Sequence, residues 1–365
     1  MYMVPDTGHQ KAAEAIMKVA STIDPQSKCV GLDAASHAYP FLSHFFNRMY
    51  LQMLKRAPKI WDFLYDNPDI ETLTRDARGL LTLFGSFRTQ KILRQYQPKA
   101  VVCTQAVPAT AMAAEKKKGR LKVPLVCVIT DFGVHRYWCH PEVDMYLVAH
   151  EDIKEQLIHR GIDSDRVCVT GIPIHPHFGE TMDPKKIRRK FRLRAKKKTV
   201  LIMGGSRGIG YLEEIVDSLQ NKNLDGQILV ICGHNRRLFN RLNHKNATKN
   251  IRIMGYVKNT AALMTVADVL ITKPGGLTSS EALAKHLPMI LTNPIPGQEE
   301  RNVQFLIRHG AATLARTPEQ LIRTLTSLLE HPRKYAQMQK NIQPLSRPHS
   351  AWESARRILD MVPPQ

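Results

Sequence analysis

The sequence predicts an α/β fold of two doubly wound domains, each built on a parallel sheet. Three observations carry this. At 365 residues the chain is too long for one ordinary hydrophobic core. Short apolar, β-rich runs alternate with amphipathic helical stretches over most of the length. The runs are continuously apolar rather than alternating, which suits strands buried on both faces of a parallel sheet.

In the first half the predicted strands are Met1–Pro5, Cys29–Leu32, Ala100–Thr104, Leu125–Thr130, Asp144–Val148 and Val167–Thr170. In the second half they are Thr199–Met203, Gln227–Cys232, Ile251–Met254, Val269–Thr272, Met289–Thr292 and Ala312–Leu314. Strand–helix–strand repetition of this kind implies doubly wound sheets. The proline-bearing stretch Gly171-Ile172-Pro173-Ile174-His175-Pro176 is expected to end the first domain. The expected division is 1–172, then 173–348, then a C-terminal helical segment, 349–365, free to cross back to the first domain.

Hydrophobic content is 43% and charged content 23%, ordinary for a globular protein. No apolar run approaches the roughly 18–20 residues that span a bilayer, and Met1-Tyr2-Met3-Val4-Pro5 lacks the basic flank of a signal peptide. A cytoplasmic protein is expected. Cys29, Cys103, Cys127, Cys168 and Cys232 lie in short apolar runs without a C-x-x-C pair, and are expected to be buried, reduced thiols. Cys139 with His135 and His140, and His175 with His177, have no diagnostic metal spacing, so hydrogen-bonded histidines are expected there. The net charge of +21, with an isoelectric point near 9.8, implies an anionic partner. Much of the excess lies between Lys185 and Lys198. Nucleic acid, anionic lipid and a phosphorylated substrate all fit that charge.

The turn Met203-Gly204-Gly205-Ser206-Arg207-Gly208 follows a strand and opens a helix, where glycines let backbone approach a ligand and helix-start N–H groups attract phosphate. Its glycine spacing does not match a dinucleotide fingerprint. The run Lys273-Pro274-Gly275-Gly276-Leu277-Thr278-Ser279-Ser280-Glu281 says more. A tight turn leads into a helix whose first turn is expected to carry Thr278, Ser279 and Ser280, aimed at phosphate. Glu281, one turn on, is placed to accept from ribose hydroxyls. After the next strand, Gln298 and Glu299 offer amide and carboxylate groups suited to a polyol. A capped helix start explains each loop alone. Phosphate and sugar chemistry on adjacent strands makes nucleotide-sugar binding the better reading.

With Gly204-Gly205-Ser206, Gly255-Tyr256-Val257, the Lys273–Glu281 run and Pro296-Gly297-Gln298-Glu299 in one half, and Gly8-His9, Thr130-Asp131-Phe132, His135, Trp138 and Gly171-Ile172-Pro173-Ile174 in the other, the sequence resembles a known family. It is similar to the glycosyltransferases that include monogalactosyldiacylglycerol synthase and processive diacylglycerol glucosyltransferase, and more distantly to MurG. The resemblance implies a GT-B fold, two Rossmann-like domains facing a cleft, with a UDP-sugar in the C-terminal one. It implies that backbone at Tyr256 and Val257 holds uracil and that Gly205 and Ser206 line the donor site. It further implies that Gly276, Leu277 and Thr278 bind phosphate, with Gly275 and Ser279 also in the donor site, that Glu281 holds ribose, and that Gln298 and Glu299 hold the sugar. UDP-glucose or UDP-galactose is then a substrate, no cofactor or metal ion is expected, and transfer proceeds with inversion.

Inversion needs a base to take the acceptor's proton. His9, at the start of a helix expected over Gln10–Ile23, and Asp131, after the strand Leu125–Thr130, are the two candidates, and the sequence does not separate them. The segment Tyr39–Tyr65 combines Phe41, Phe45, Phe46 and Tyr50 with Arg48 and further cations. It reads equally as a core helix and as a helix on an anionic membrane surface. The resemblance, with its lipid acceptors, favours the surface, and adds His135 and Trp138 on the acceptor side. Diacylglycerol or another lipid is the expected acceptor, and a peripheral position on the cytoplasmic face of the membrane the expected location. Three alternatives remain: MurG-like transfer of N-acetylglucosamine to a polyprenyl-linked acceptor, a UDP-sugar epimerase of the same fold, and a nucleic-acid-binding protein using the basic block. The last fits poorly, since only Phe191 interrupts the cations as a stacking aromatic.

Overall fold

The computed structural model describes residues 1–3, 7–34, 36, 89–205, 208, 212–220, 226–245, 250–295 and 297–362. The segment that contains Phe41, Phe45, Phe46, Arg48 and Tyr50 lies outside the described residues, as does Ser206. The chain divides into two compact units. One comprises Met1–Pro176, Ile295–Gln298 and His349–Gln365, the other His177–Pro294 and Glu299–Pro348.

The first unit holds a four-stranded parallel sheet in the order β1-β2-β3-β4, with β1 at Val101–Cys103, β2 at Leu125–Val128, β3 at Met145–Val148 and β4 at Val167–Val169. All four residues of β2 are buried, as a continuous Leu-Val-Cys-Val run requires of a central parallel strand. The helix Gly8–Ile23 turns Ala15, Ile16, Val19 and Ala20 toward Val126 and Val128 of that strand. Ala351, Ala355 and Ile358 of the helix Ser350–Asp360 complete the same cluster. Small residues at Ala351 and Ala355 let the two helices approach closely. Polar bonds fix the later helix in place: Ser354 Oγ donates to Thr170 Oγ1 at 3.1 Å, and Ile174 N donates to Ser350 Oγ at 3.3 Å.

The sequence overstated structure at the start of the chain. Met1–Pro5 contributes a bridge from Tyr2 to Asp33, and residues 4–6 lie outside the described region. Cys29–Leu32 forms no strand: Val30 is 43% exposed, and among the described residues the run meets the start of the chain only at its end, where Tyr2 N donates to Leu32 O at 3.1 Å. Cys29 is accordingly exposed and Cys168 half-buried, whereas Cys103, Cys127 and Cys232 are buried thiols.

The second unit holds a six-stranded parallel sheet in the order β10-β9-β8-β5-β6-β7. The strands are β5 Lys198–Met203, β6 Gly226–Ile231, β7 Ile251–Met254, β8 Val269–Thr272, β9 Met289–Leu291 and β10 Ala312–Leu314. Winding runs outward from β5 through β6 and β7, then reverses through β8, β9 and β10. The strand order therefore changes direction between β5 and β8, and open sheets of this kind bind ligands at the carboxyl ends of the strands flanking such a point. The register pairs Met203 with Thr272, and Thr272 with Leu291, so the loops after β5, β8 and β9 leave the sheet side by side.

The basic segment lies at the other end of this sheet, before β5. Asp183 caps the helix Pro184–Lys190, accepting from Lys185 N at 2.8 Å. Arg188 is structural, donating to carbonyls of Arg194 and Val266 at 3.3 and 3.1 Å. Phe191 packs on Ile187, Ala262 and Val266, so the one aromatic in the block is occupied by packing. No helix among the described residues is long and apolar enough to cross a membrane.

Candidate active site

In the second unit, the loop after β8 turns through Pro274 into the helix Gly276–Ala284, with Gly275 at the N-cap. The amide of Gly275 donates to Lys273 O at 2.9 Å and that of Ser279 to Gly275 O at 3.0 Å. The N–H groups of Gly276, Leu277 and Thr278 lie between them and have no partner within a helix, and groups of this kind attract anions. Ser279 and Ser280 fall one position or more beyond the first turn, not within it as the sequence suggested. Ser279 is fully buried and its hydroxyl has no hydrogen-bond partner among the described residues. Glu281 is half-buried, and loss of water around its carboxyl pushes its pKa up to about 8.

The loop after β5 approaches from the neighbouring strand. Thr272 Oγ1 donates to Met203 O at 3.0 Å, tying the two strand ends together. Gly205 has a φ of +71°, and Gly208 one of +55°. A Cβ on Gly208 would sit 2.2 Å from Cys232 O, so only glycine lets this loop lie against the end of β6. After β7, Tyr256 is 45% exposed, with Val257 next in the chain. His234, which follows β6, stacks on the Tyr256 ring at 4.2 Å between centroids and 18° between planes. The sequence reading passed over His234. Its signal was position, just after the glycine that ends a strand adjacent to β7.

After β9, the helix Gln298–Arg308 begins. Glu299 is 6% exposed, and Lys273 Nζ donates to its Oε1 at 2.6 Å. Asn302, one turn on and fully buried, donates Nδ2 to Pro274 O at 2.9 Å. Neither Lys273 nor Asn302 carried a role in the sequence reading. Gln298 groups with the first unit, where its Nε2 donates to Asp131 Oδ2.

His9 lies in the first turn of the helix Gly8–Ile23, whose N-cap is Thr7. Thr130 Oγ1 is 2.7 Å from His9 Nδ1, and Thr104 Oγ1 donates to His9 O at 2.9 Å. Loss of water drives the His9 pKa down to about 4, so the ring is neutral near pH 7. Asp131 is 7% exposed and directly follows Thr130. The first unit thus brings His9, Thr130 and Asp131 together at the carboxyl end of β2.

His135 and Trp138 are 4% and 3% exposed. His135 Nδ1 accepts from Tyr137 N at 3.2 Å, and Tyr146 donates to Trp138 O at 2.9 Å. Neither side chain is displayed on the surface. His140 Nε2 meets Tyr137 O at 2.9 Å and Thr110 Oγ1 at 3.0 Å, and burial holds the Cys139 thiol above its ordinary pKa. His177 Nδ1 pairs with Glu180 at 2.8 Å.

The sequence is similar along both halves to known proteins. Residues 9–174 match the family described as monogalactosyldiacylglycerol (MGDG) synthase, and residues 199–351 match the glycosyltransferase family 28 C-terminal domain. A processive diacylglycerol beta-glucosyltransferase of Bacillus licheniformis is 31% identical over 341 residues, 93% of this chain and 88% of that one. One of Bacillus cereus is 31% identical over 356 residues, 95% of this chain and 89% of that one. Among solved structures, MurG of Acinetobacter baumannii aligns with a TM-score of 0.59 at 18% identity, covering 76% of this chain and 78% of that one. UDP-GlcNAc 2-epimerase from Neisseria meningitidis, bound to UDP-GlcNAc, aligns with a TM-score of 0.59 at 16% identity, covering 76% and 82%. These two likenesses show the fold alone, a GT-B-like pair of Rossmann-like domains. Taken with the two family matches and relatives that run nearly end to end, they lead to one assignment: the chain belongs to the glycosyltransferase family of the monogalactosyldiacylglycerol synthases and processive diacylglycerol glucosyltransferases, and is a hexosyltransferase.

Proposed function

We propose that this chain transfers a hexose from UDP-glucose or UDP-galactose to the hydroxyl of diacylglycerol, with inversion, at an anionic membrane surface. The observation that carries the donor half is the helix start at Gly276, set beside the point where the sheet reverses its winding. The backbone N–H groups of Gly276, Leu277 and Thr278, left without helical partners, support binding of the diphosphate there. As the acceptor oxygen attacks the anomeric carbon, the bond from that carbon to the UDP oxygen breaks and negative charge collects on the leaving diphosphate. The helix start stabilises that charge in the place a metal ion takes in other transferases. Glu281 binds the ribose hydroxyls, the stacked His234–Tyr256 pair and the Val257 backbone receive uracil, and Glu299 with Gln298 binds the hexose.

His9 is the base in this reading. Thr130 Oγ1 stands 2.7 Å from its Nδ1; in the tautomer whose Nδ1–H points to that oxygen, the neutral imidazole keeps its Nε2 lone pair to take the acceptor's proton. Asp131 orients the acceptor side. The lipid acceptor follows from the names of the Bacillus relatives, and the membrane surface from the net charge of +21 together with that acceptor.

The test is to incubate the protein with UDP-glucose or UDP-galactose and liposomes of diacylglycerol, with and without anionic lipid, and to read the lipid by mass spectrometry. A hexosyl-diacylglycerol and free UDP are expected, with faster turnover on anionic liposomes. Epimerised UDP-sugar without a lipid product would overturn the reading.

A further inference from the structure

We propose that Lys273 is a positioning residue for the donor sugar, acting through Glu299. The inference rests on the assignment of Glu299 to the hexose hydroxyls.

Glu299 is 6% exposed. A carboxylate so far from water is stabilised by a cation beside it. Lys273 Nζ, at 2.6 Å from Oε1, supplies the cation. A carboxylate offers about four acceptor sites, so accepting from one ammonium is compatible with accepting from sugar hydroxyls. The pairing therefore fixes where the Glu299 carboxyl stands.

The geometry restrains the lysine as well. Its stem runs under the loop after β5, where a Cβ on Gly205 would stand 3.4 Å from Lys273 Cε. Glu299 and Asn302 lie one turn apart on the same face of their helix. From that face Glu299 holds Lys273, and Asn302 holds the carbonyl of the next residue, Pro274. Two consecutive residues of the turn that leads to the phosphate-binding helix start are thus gripped by the helix that carries the sugar-binding carboxylate. Phosphate and sugar recognition are built as one piece, and Lys273 is the charged half of the joint.

Direct contact of Lys273 with the diphosphate is the competing role, and UDP separates the two because it lacks the hexose. Binding of UDP and of each UDP-hexose is measured by calorimetry on the full chain for wild type, K273M, K273R, E299Q and K273M/E299Q, with KM and melting temperature alongside. In K273M, UDP-hexose affinity is expected to fall about 10–100-fold, the loss typical of a charged hydrogen bond, while UDP affinity stays within about two-fold. The double variant is expected to be no worse than E299Q, because once the carboxylate is gone Lys273 has lost the group through which it acts. K273R should recover part of the loss. Equal losses for UDP and UDP-hexose in K273M would overturn the inference in favour of diphosphate contact, as would additive losses in the double variant. Should K273M not fold, K273R carries the test: it keeps the charge but displaces it, and must raise the UDP-hexose KM without changing UDP affinity. A wild type that binds UDP but no UDP-hexose sinks the inference while sparing the nucleotide site, and one that binds neither sinks the donor assignment with it.

Discussion

His9 Nδ1 stands 2.7 Å from Thr130 Oγ1, joining the first helix of the chain to the residue just beyond β2. The contact holds the ring in place and leaves Nε2 as the nitrogen not facing Thr130. Replacing Thr130 by Val keeps the shape but removes the hydroxyl. We expect T130V to lower kcat with little change in the KM for UDP-sugar, because the ring loses its orientation while the donor site is untouched. H9A should lose about 10²–10⁴-fold in kcat, the usual worth of a general base. Steady-state kinetics on both variants checks this, and a kcat for H9A within a few-fold of wild type would remove His9 from the role of base.

The pH profile follows from the same residue. Burial lowers the His9 pKa to about 4. The unfolded chain holds this proton up to about pH 6.5. Folding therefore opposes protonation of His9, and stability from this group is complete above pH 6.5 and lost as pH falls toward 4. If His9 is the base, kcat/KM should stay flat through pH 6.5 and decline only toward 4. An acid limb centred on 6.5 would mean the working base is a group with an ordinary histidine pKa.

Glu281 titrates in the opposite sense. Its pKa is raised to about 8 by desolvation, so the folded protein holds the proton more tightly than the unfolded chain. The contribution to stability is complete below the ordinary glutamate range and lost as pH rises through about 8. Ionisation there also places a negative charge on the same helix, near the start proposed to receive the diphosphate. UDP affinity in wild type should weaken as pH rises through about 8, and E281Q should flatten that dependence. E281A should cost about 1–3 kcal/mol of UDP binding, by leaving ribose hydroxyls unpaired. Calorimetric titration of UDP between pH 6 and 9 reads both effects; a wild-type affinity independent of pH removes Glu281 from the site.

Much of this site was legible in the sequence because its parts follow strands. The continuous apolar runs of β2, β5, β6, β8 and β9 gave a parallel sheet, and a parallel sheet puts every strand's carboxyl end on one side. Lys273 and Glu299 could be seen to lie near that side. Their pairing could not, because it depends on the register of β8 against β9 and on which face the helix Gln298–Arg308 turns inward. His234 was missed because stacking joins residues from two loops with no shared motif. The apolar run at Cys29–Leu32 misled because hydrophobicity alone does not extend pairing: its end meets Tyr2 in an isolated contact rather than a ladder. The aromatic-basic segment with Phe41 and Phe45 stays an expectation, outside the described residues.

Two glycines near the donor loops separate packing from chemistry. Gly208 has a φ of +55°, and a Cβ there would meet Cys232 O at 2.2 Å, whereas a Cβ on Gly255 would find no heavy atom within 4 Å. G208A combines a left-handed backbone with a backbone clash, so it should destabilise the second unit by about 1–3 kcal/mol. It should also weaken UDP by displacing the loop after β5. G255A should change stability by less than about 0.5 kcal/mol. Thermal unfolding of the two variants beside wild type is the measurement, and equal melting temperatures for both would contradict the packing described for Gly208.

The seam between the helices Gly8–Ile23 and Ser350–Asp360 links the far end of the chain to the helix that carries His9. Ala355 is fully buried there, within the cluster that includes Ile16, Val19 and Val126. A leucine at 355 has no room, and overpacking of this kind costs about 1–3 kcal/mol. The strain has two outlets, because the later helix is also bonded through Ser354 to Thr170 and through Ser350 to Ile174. Those bonds hold its position, so the earlier helix must shift instead, and with it His9. We expect A355L to lower the melting temperature and to reduce kcat, while UDP affinity stays at the wild-type value because the donor loops belong to the other unit. S354A, which removes one bond and adds no bulk, should cost about 1 kcal/mol without affecting kcat. Loss of UDP binding in A355L would mean that the two units do not respond independently.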